Sequence, residues 1–280
     1  MYYALLKTTA LLLILTMVGF VSKTEATPVK YHNDHHVSVY SLKSELALPA
    51  TGSIIGIVKF AGTPPRQESF TPAHHDAACE KATFPLDRLV IGKNQGVEYT
   101  LVFIKNPPAG SVANMKAPVI TQQHCHYSPH LSIAAKGSTL ELINNDAVLH
   151  NIHGYNYGYS GAGIERSTAF NIAQPIQGQK SSQELRKPGM IEVECDAGHI
   201  WMTSWIWVTP NPWATVTNSN GEYSFSGLSP GTYTLVLWHE GWKMKKNAGD
   251  ARPMFSDPIS EEQQVTVAAG NTATANFELH

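Results

Sequence analysis

Cys195-Asp196-Ala197-Gly198-His199-Ile200-Trp201-Met202, with Asn144-Asn145-Asp146-Ala147-Val148-Leu149-His150-Asn151-Ile152-His153 about 45 residues upstream, supplies one thiol, a thioether and the imidazoles of His199 and His150, beside a further one at His153. Thiolate and thioether are soft donors that favour Cu(I), and imidazole suits both oxidation states of copper. A trigonal Cys/His/His plane with a weak axial Met is the donor set of mononuclear electron-transfer copper. The two segments predict one copper ion held by His150, Cys195, His199 and Met202, shuttling between Cu(II) and Cu(I).

The sequence around these residues is strand-like. Apolar residues alternate through Ser53–Phe60, and further short apolar runs fall at Arg88–Ile91, Tyr99–Lys105, Leu131–Ala134, Thr139–Ile143, Val148–Ile152, Thr168–Ile172, Met190–Cys195 and Met202–Val208. Turn residues separate them, and almost nowhere do apolar residues recur at i, i+3 and i+4. The expectation is an all-β chain built as sandwiches. The Gly/Tyr-rich stretch Tyr155–Gly163 reads as an excursion between strands, either a loop covering the metal or a plain surface loop. Beyond Pro212 the style changes to Ala214–Phe225 and Leu228–His239, where Gly221 and Gly231 mark turns between alternating strands.

Residues 88–210 resemble the cupredoxins, plastocyanin and azurin among them. The Asn-to-His-Asn pattern of that family stands at Asn144 through His150-Asn151, and its Cys-His-Met loop at Cys195, His199 and Met202. The resemblance implies a Greek-key sandwich whose single copper carries electrons, with Asn151 hydrogen-bonded to the segment after Cys195 and Asp196 beside the ligand set. Three residues separate Cys195 from His199, where many exported proteins of this kind have two. That spacing is also similar to the binuclear loop of cytochrome oxidase, but Ile191 stands where a second cysteine would be needed, which excludes a binuclear centre.

Residues 211–280 resemble the small transthyretin-like sandwich of the carboxypeptidase regulatory-like domain, with its hairpin at Asn220–Phe225, its return strand at Pro230–Leu235 and closing strands at Gln264–Ala268 and Thr272–Leu279. That family's first strand resembles Gly56-Ile57-Val58-Lys59-Phe60-Ala61-Gly62, far upstream. Residues 51–87 are therefore either part of a discontinuous small sandwich or an extension of the copper domain.

Individual residues carry competing readings. His153 is three positions from His150 along a strand, so alternation sends it to the opposite face; if the strand ended at Asn151, it could replace a ligand. Met202 is an axial ligand or simply core. Trp201, Trp205 and Trp207 share a strand face that suits packing on the C-terminal module, with Trp201 nearer the metal loop. His199, between Gly198 and Ile200, would offer an exposed imidazole edge for electron exchange.

Three cysteines are an odd number for an oxidising compartment, and the arithmetic closes if Cys79 pairs with Cys125, leaving Cys195 as the metal thiolate. His124, Cys125, His126 and His130 could form a zinc site, but alternation places both flanking histidines opposite Cys125. No helix N-terminus follows Cys195 to activate it as a nucleophile.

Lys7, an apolar run Thr8–Val21 and small or polar residues near Ala26 read as an export signal over residues 1–26, with a membrane anchor as the rival. The mature chain is expected to be periplasmic or secreted and to have no membrane span. Residues 27–50, with His32, His35 and His36, read as a flexible extension. A net charge of −2 and a charged fraction of 15% give no basic surface for nucleic acid. The expected partners are a c-type cytochrome or an exported oxidoreductase. Copper storage or delivery, a carbohydrate- or surface-binding sandwich with a vestigial site, and a copper oxidoreductase with an open axial position are the alternatives.

Overall fold

The computed structural model describes residues 50–73, 76–79, 81–160, 163–246 and 252–280. The export-signal reading of residues 1–26 and the His-containing extension, up to residue 49, lie outside the described residues. Among those described, no helix is long and apolar enough to cross a membrane.

The chain is all-β. One sandwich has a five-stranded sheet ordered Gly163–Gln174, His150–Ser160, Gly189–Glu194, Thr203–Thr209, Leu131–Ala135, and a four-stranded sheet ordered Lys180–Glu184, Thr139–Asn144, Val119–Gln123, His126–Ser128. Ile120, Leu140, Leu142, Ile152, Ile191, Val193, Ile206 and Val208 fill its core. The second sandwich has Ala214–Val216, Leu101–Ile104, Gly231–His239 and Ile259–Val267 in one sheet. Its other sheet pairs Gly52–Phe60 with Glu222–Leu228 on one side and with Thr272–Thr274 and Phe277–Leu279 on the other.

Gly52–Phe60 buries alternate residues, with Ile54 and Val58 fully enclosed, as a strand with one face on a core must. Residues 52–60 therefore belong to the small sandwich. So does Leu101–Ile104, which pairs with Gly231–His239 and Ala214–Val216. This corrects the boundary at residue 88: the strand expected within Tyr99–Lys105 is not part of the sandwich that carries His150 and Cys195. Val102 and Ile104 enter the small core, whereas Leu101 and Phe103 face the other sandwich, so the strand is apolar on both sides.

Between the sandwiches Leu101, Leu131, Met190 and Trp205 form a third core. Phe103 stacks on Trp207 at 4.9 Å and Trp205 meets Trp238 edge-on at 5.1 Å. Burial of such rings stabilises the contact by about 1.5–3 kcal/mol each. Beside them Glu240 is buried between Arg88 and His130, which both bond its carboxylate.

Other expectations are corrected locally. Tyr155–Ser160 is not a loop: it forms the outer part of the strand His150–Ser160, which pairs with Gly163–Gln174. Gly154 is needed there because a Cβ would meet the Phe170 ring at 2.4 Å. Arg88–Ile91 forms no strand beyond a bridge from Ile91 to Val97. Asn220–Phe225 is a corner between two sheets rather than a hairpin, since Ala214–Val216 and Glu222–Leu228 lie in different sheets.

Candidate metal centre

Adjacent strands of the five-stranded sheet bring the distant segments together. His150 opens its strand, Cys195 directly follows Gly189–Glu194, and Glu194 is opposite His153 in the register. The chain then reverses through Gly198, whose φ of +92° suits glycine, and the Met202 N–H closes the turn on the His199 carbonyl at 2.9 Å. A sheet edge thus presents one imidazole and a return loop presents the other donors.

The ligand atoms of His150, Cys195 and His199 lie within 4.8 Å of one another, and all three residues are buried. Cys195 Sγ is 3.7 Å from His199 Nδ1, and the two imidazole centroids are 4.6 Å apart. Met202 is buried in the same core as Cys195 and Trp201. His150 Nε2 bonds Asp146 Oδ2 at 2.8 Å, while its buried Nδ1 has no hydrogen-bond partner. A buried ring nitrogen without a partner is costly unless something else engages its lone pair. A metal ion does so, and this thiol-and-imidazole set fits copper in chemistry.

Asp146 is a site residue that sequence reasoning missed, although it stands inside the quoted upstream segment. Its carboxylate also accepts the N–H groups of His124 at 2.7 Å and Cys125 at 2.9 Å. Burial opposes its ionisation, but the donors Cys125, His150 and His124 together hold its pKa below the ordinary value. One side chain therefore fixes the tautomer of His150 and braces the tight turn at His124-Cys125, both of which have positive φ. That turn corrects the alternation argument for His124 and His126, which are not neighbours on one strand. Cys125 is committed to a disulfide with Cys79, and His130 is bonded to Glu240. Cys195 is the free cysteine among the described residues.

Burial raises the Cys195 pKa, while N–H groups of Asn151, Ala197 and His199 act on its sulfur in the opposite direction. A buried thiol of this kind is not an exposed nucleophile. Asn151 Oδ1 accepts the Asp196 N–H at 3.2 Å, joining the two ligand-bearing segments. His153 is not brought to the donor set. It bonds Asp196 at 2.6 Å, Tyr155 at 2.8 Å and Thr168 at 2.9 Å on the opposite side of its strand.

The expected exposed edge of His199 is absent: its side chain is buried, with the residue 6% exposed. The sulfurs of Cys79 and Cys125 come within 4.8 Å of a His199 ring nitrogen, and Trp201 meets the ring edge-on at 5.3 Å. Trp201 itself stacks on Phe84 at 4.1 Å and Phe70 at 5.9 Å. Trp201 thus belongs to the core around the metal loop, while Trp205 and Trp207 meet the other sandwich. Burial, followed by the neighbouring His150, pushes the His199 pKa down to about 4. Phe70, Phe84 and the Cys79–Cys125 disulfide supply this cover.

Residues 206–280 match the family model of the carboxypeptidase regulatory-like domain. Among solved structures, a proline-to-glycine variant of amicyanin in its reduced Cu(I) form at pH 4 is 20% identical, covering 39% of this chain and 98% of its own, with a TM-score of 0.26. A purple cupredoxin from Nitrosopumilus maritimus is 21% identical over 33% of this chain and 99% of its own, with a TM-score of 0.27. No curated protein matches the chain.

Proposed function

We propose that this chain is an exported mononuclear copper protein that accepts and donates single electrons through His150, Cys195, His199 and, as a weak axial donor, Met202. The observation that carries the reading is the buried set of one thiol and two imidazoles whose ligand atoms lie within 4.8 Å, with His150 Nδ1 left without a hydrogen bond. Copper bound there would supply a one-electron couple between Cu(II) and Cu(I).

The chain's own residues do the rest. Asp146 orients His150, the Asn151 link to Asp196 ties the two ligand segments, and backbone N–H groups directed at Cys195 favour its thiolate. The aromatic and disulfide cover excludes water from His199. A rigid, dry site of this kind suits rapid change of oxidation state because little around it must move. The proposed partners are a c-type cytochrome or an exported oxidoreductase, with localisation in a periplasm or outside the cell.

The test is the optical and electron paramagnetic resonance spectrum of the chain titrated with Cu(II), beside Cys195→Ser. An intense visible thiolate-to-copper band with narrow hyperfine splitting, absent from the variant, is expected, together with reversible one-electron cycling. A spectrum indifferent to Cys195 would refute the site; a site that binds Cu(I) but does not cycle would make the protein a store or carrier.

A further inference from the structure

Arg252 lies in an excursion of the C-terminal sandwich, between the short strands Met244–Lys246 and Met254–Phe255, yet its guanidinium reaches the metal loop of the other sandwich. It donates to the Cys195 carbonyl at 2.9 Å and to the Ile200 carbonyl at 2.8 Å, bridging the two ends of the turn that carries His199. The same group stands 3.4 Å from Glu194 and 3.8 Å from Asp196. Carboxylate pairing alone would make it an ordinary ion pair; two bonds to loop carbonyls, one of them on a ligand residue, make it a clamp. A planar fork of fixed N–H groups holds two such acceptors at a set separation, which a single rotatable ammonium nitrogen does less well.

Resting on the copper reading above, we propose that Arg252 is a positioning residue through which the C-terminal sandwich sets the reduction potential of the metal. Two effects act in the same direction. A fixed positive charge next to the ligand residue disfavours Cu(II) more than Cu(I), and it offsets the negative charges of Glu194 and Asp196, which would otherwise favour Cu(II). The reaction itself stays a one-electron exchange: an external donor loses one electron, Cu(II) becomes Cu(I), and no proton or bond is transferred. Arg252 holds the loop geometry through both states.

The experiment is a mediated redox titration of the copper-loaded full chain, followed by the Cu(II) resonance signal, for the wild type, Arg252→Gln and Arg252→Lys. Backbone amide exchange at residues 196–202 is measured on the metal-free forms of the same proteins. At a fixed potential the Cu(I) to Cu(II) ratio should fall roughly tenfold in Arg252→Gln, which is about 59 mV for one electron. Arg252→Lys should keep most of the potential, since it keeps the charge, while both variants exchange loop amides faster. A wild type without the thiolate band would sink the copper reading and this inference together. A wild type with the band and an Arg252→Gln midpoint that does not move would overturn this inference alone, and faster exchange would then mean only that Arg252 braces the loop.

Discussion

Replacing Glu240 by Gln removes one charge from the junction of the two sandwiches and turns one of its two acceptor oxygens into a donor. The Glu240 side chain is enclosed, bonded to Arg88 through one oxygen and His130 through the other. Burial alone would raise its pKa, but Arg88 and His130 outweigh this and push it down to about 2, from an ordinary value of 4.5. A gap of about 2.5 pH units at 1.36 kcal/mol each corresponds to about 3 kcal/mol of folding stability. Because the folded pKa is depressed, that contribution is complete above pH 4.5 and is lost as the pH falls towards 2. Metal-free wild type and Glu240→Gln should be unfolded with denaturant across this range. The wild type should be the more stable by about 3 kcal/mol at neutral pH. The difference should shrink to near zero at about pH 2. Subtracting the variant removes every other titrating carboxylate, so a difference that stays flat with pH would refute the assignment of the junction's strength to this charge.

Asp146→Asn should weaken copper binding by about 10–100-fold in competition with a chelator, because His150 loses the acceptor that fixes its tautomer. Joint replacement of Cys79 and Cys125 by Ala opens a crosslink between residues 46 apart and should cost about 4 kcal/mol in denaturant melts. The same variant should raise the pKa of His199 in the metal-free protein from about 4 towards 6.5, as followed by nuclear magnetic resonance. Gly221→Ala places a Cβ 2.2 Å from the Val58 carbonyl at a φ of +75° and should destabilise the chain by about 2–3 kcal/mol, read from the denaturation midpoint.

His150, Cys195 and His199 could be grouped from sequence because they stand in two short segments, and the fold brings their ligand atoms within 4.8 Å of one another. Cys79 and Cys125 were legible by counting, but the place of their disulfide against His199 was not, since it depends on where the Phe70–Phe84 segment folds back. Leu101–Ile104 was assigned to the wrong sandwich for a physical reason: a strand apolar on both faces carries no alternation to say which sheet owns it. The Tyr155–Gly163 stretch has the composition of a loop, yet backbone pairing holds Tyr155–Ser160 in a strand regardless of side-chain type. Arg252 gives no local sign at all, standing 57 residues from the carbonyl it binds.

The nesting of one sandwich within the other also sets an order of events at the ribosome. Ile57 bonds Asn276 across 219 residues of chain, and Gly52–Phe60 finds its parallel neighbours only when residues 272–279 have emerged. At about 5–20 residues per second, that strand waits roughly 10–45 s for these parallel neighbours. All strands of the inner sandwich are made within that interval, so the half that carries Cys195 can be complete while its outer neighbour still lacks strands. A nascent chain stopped before residue 272 would therefore present a folded inner half tethered to a sticky strand, a form that quality control can recognise by its exposed edge.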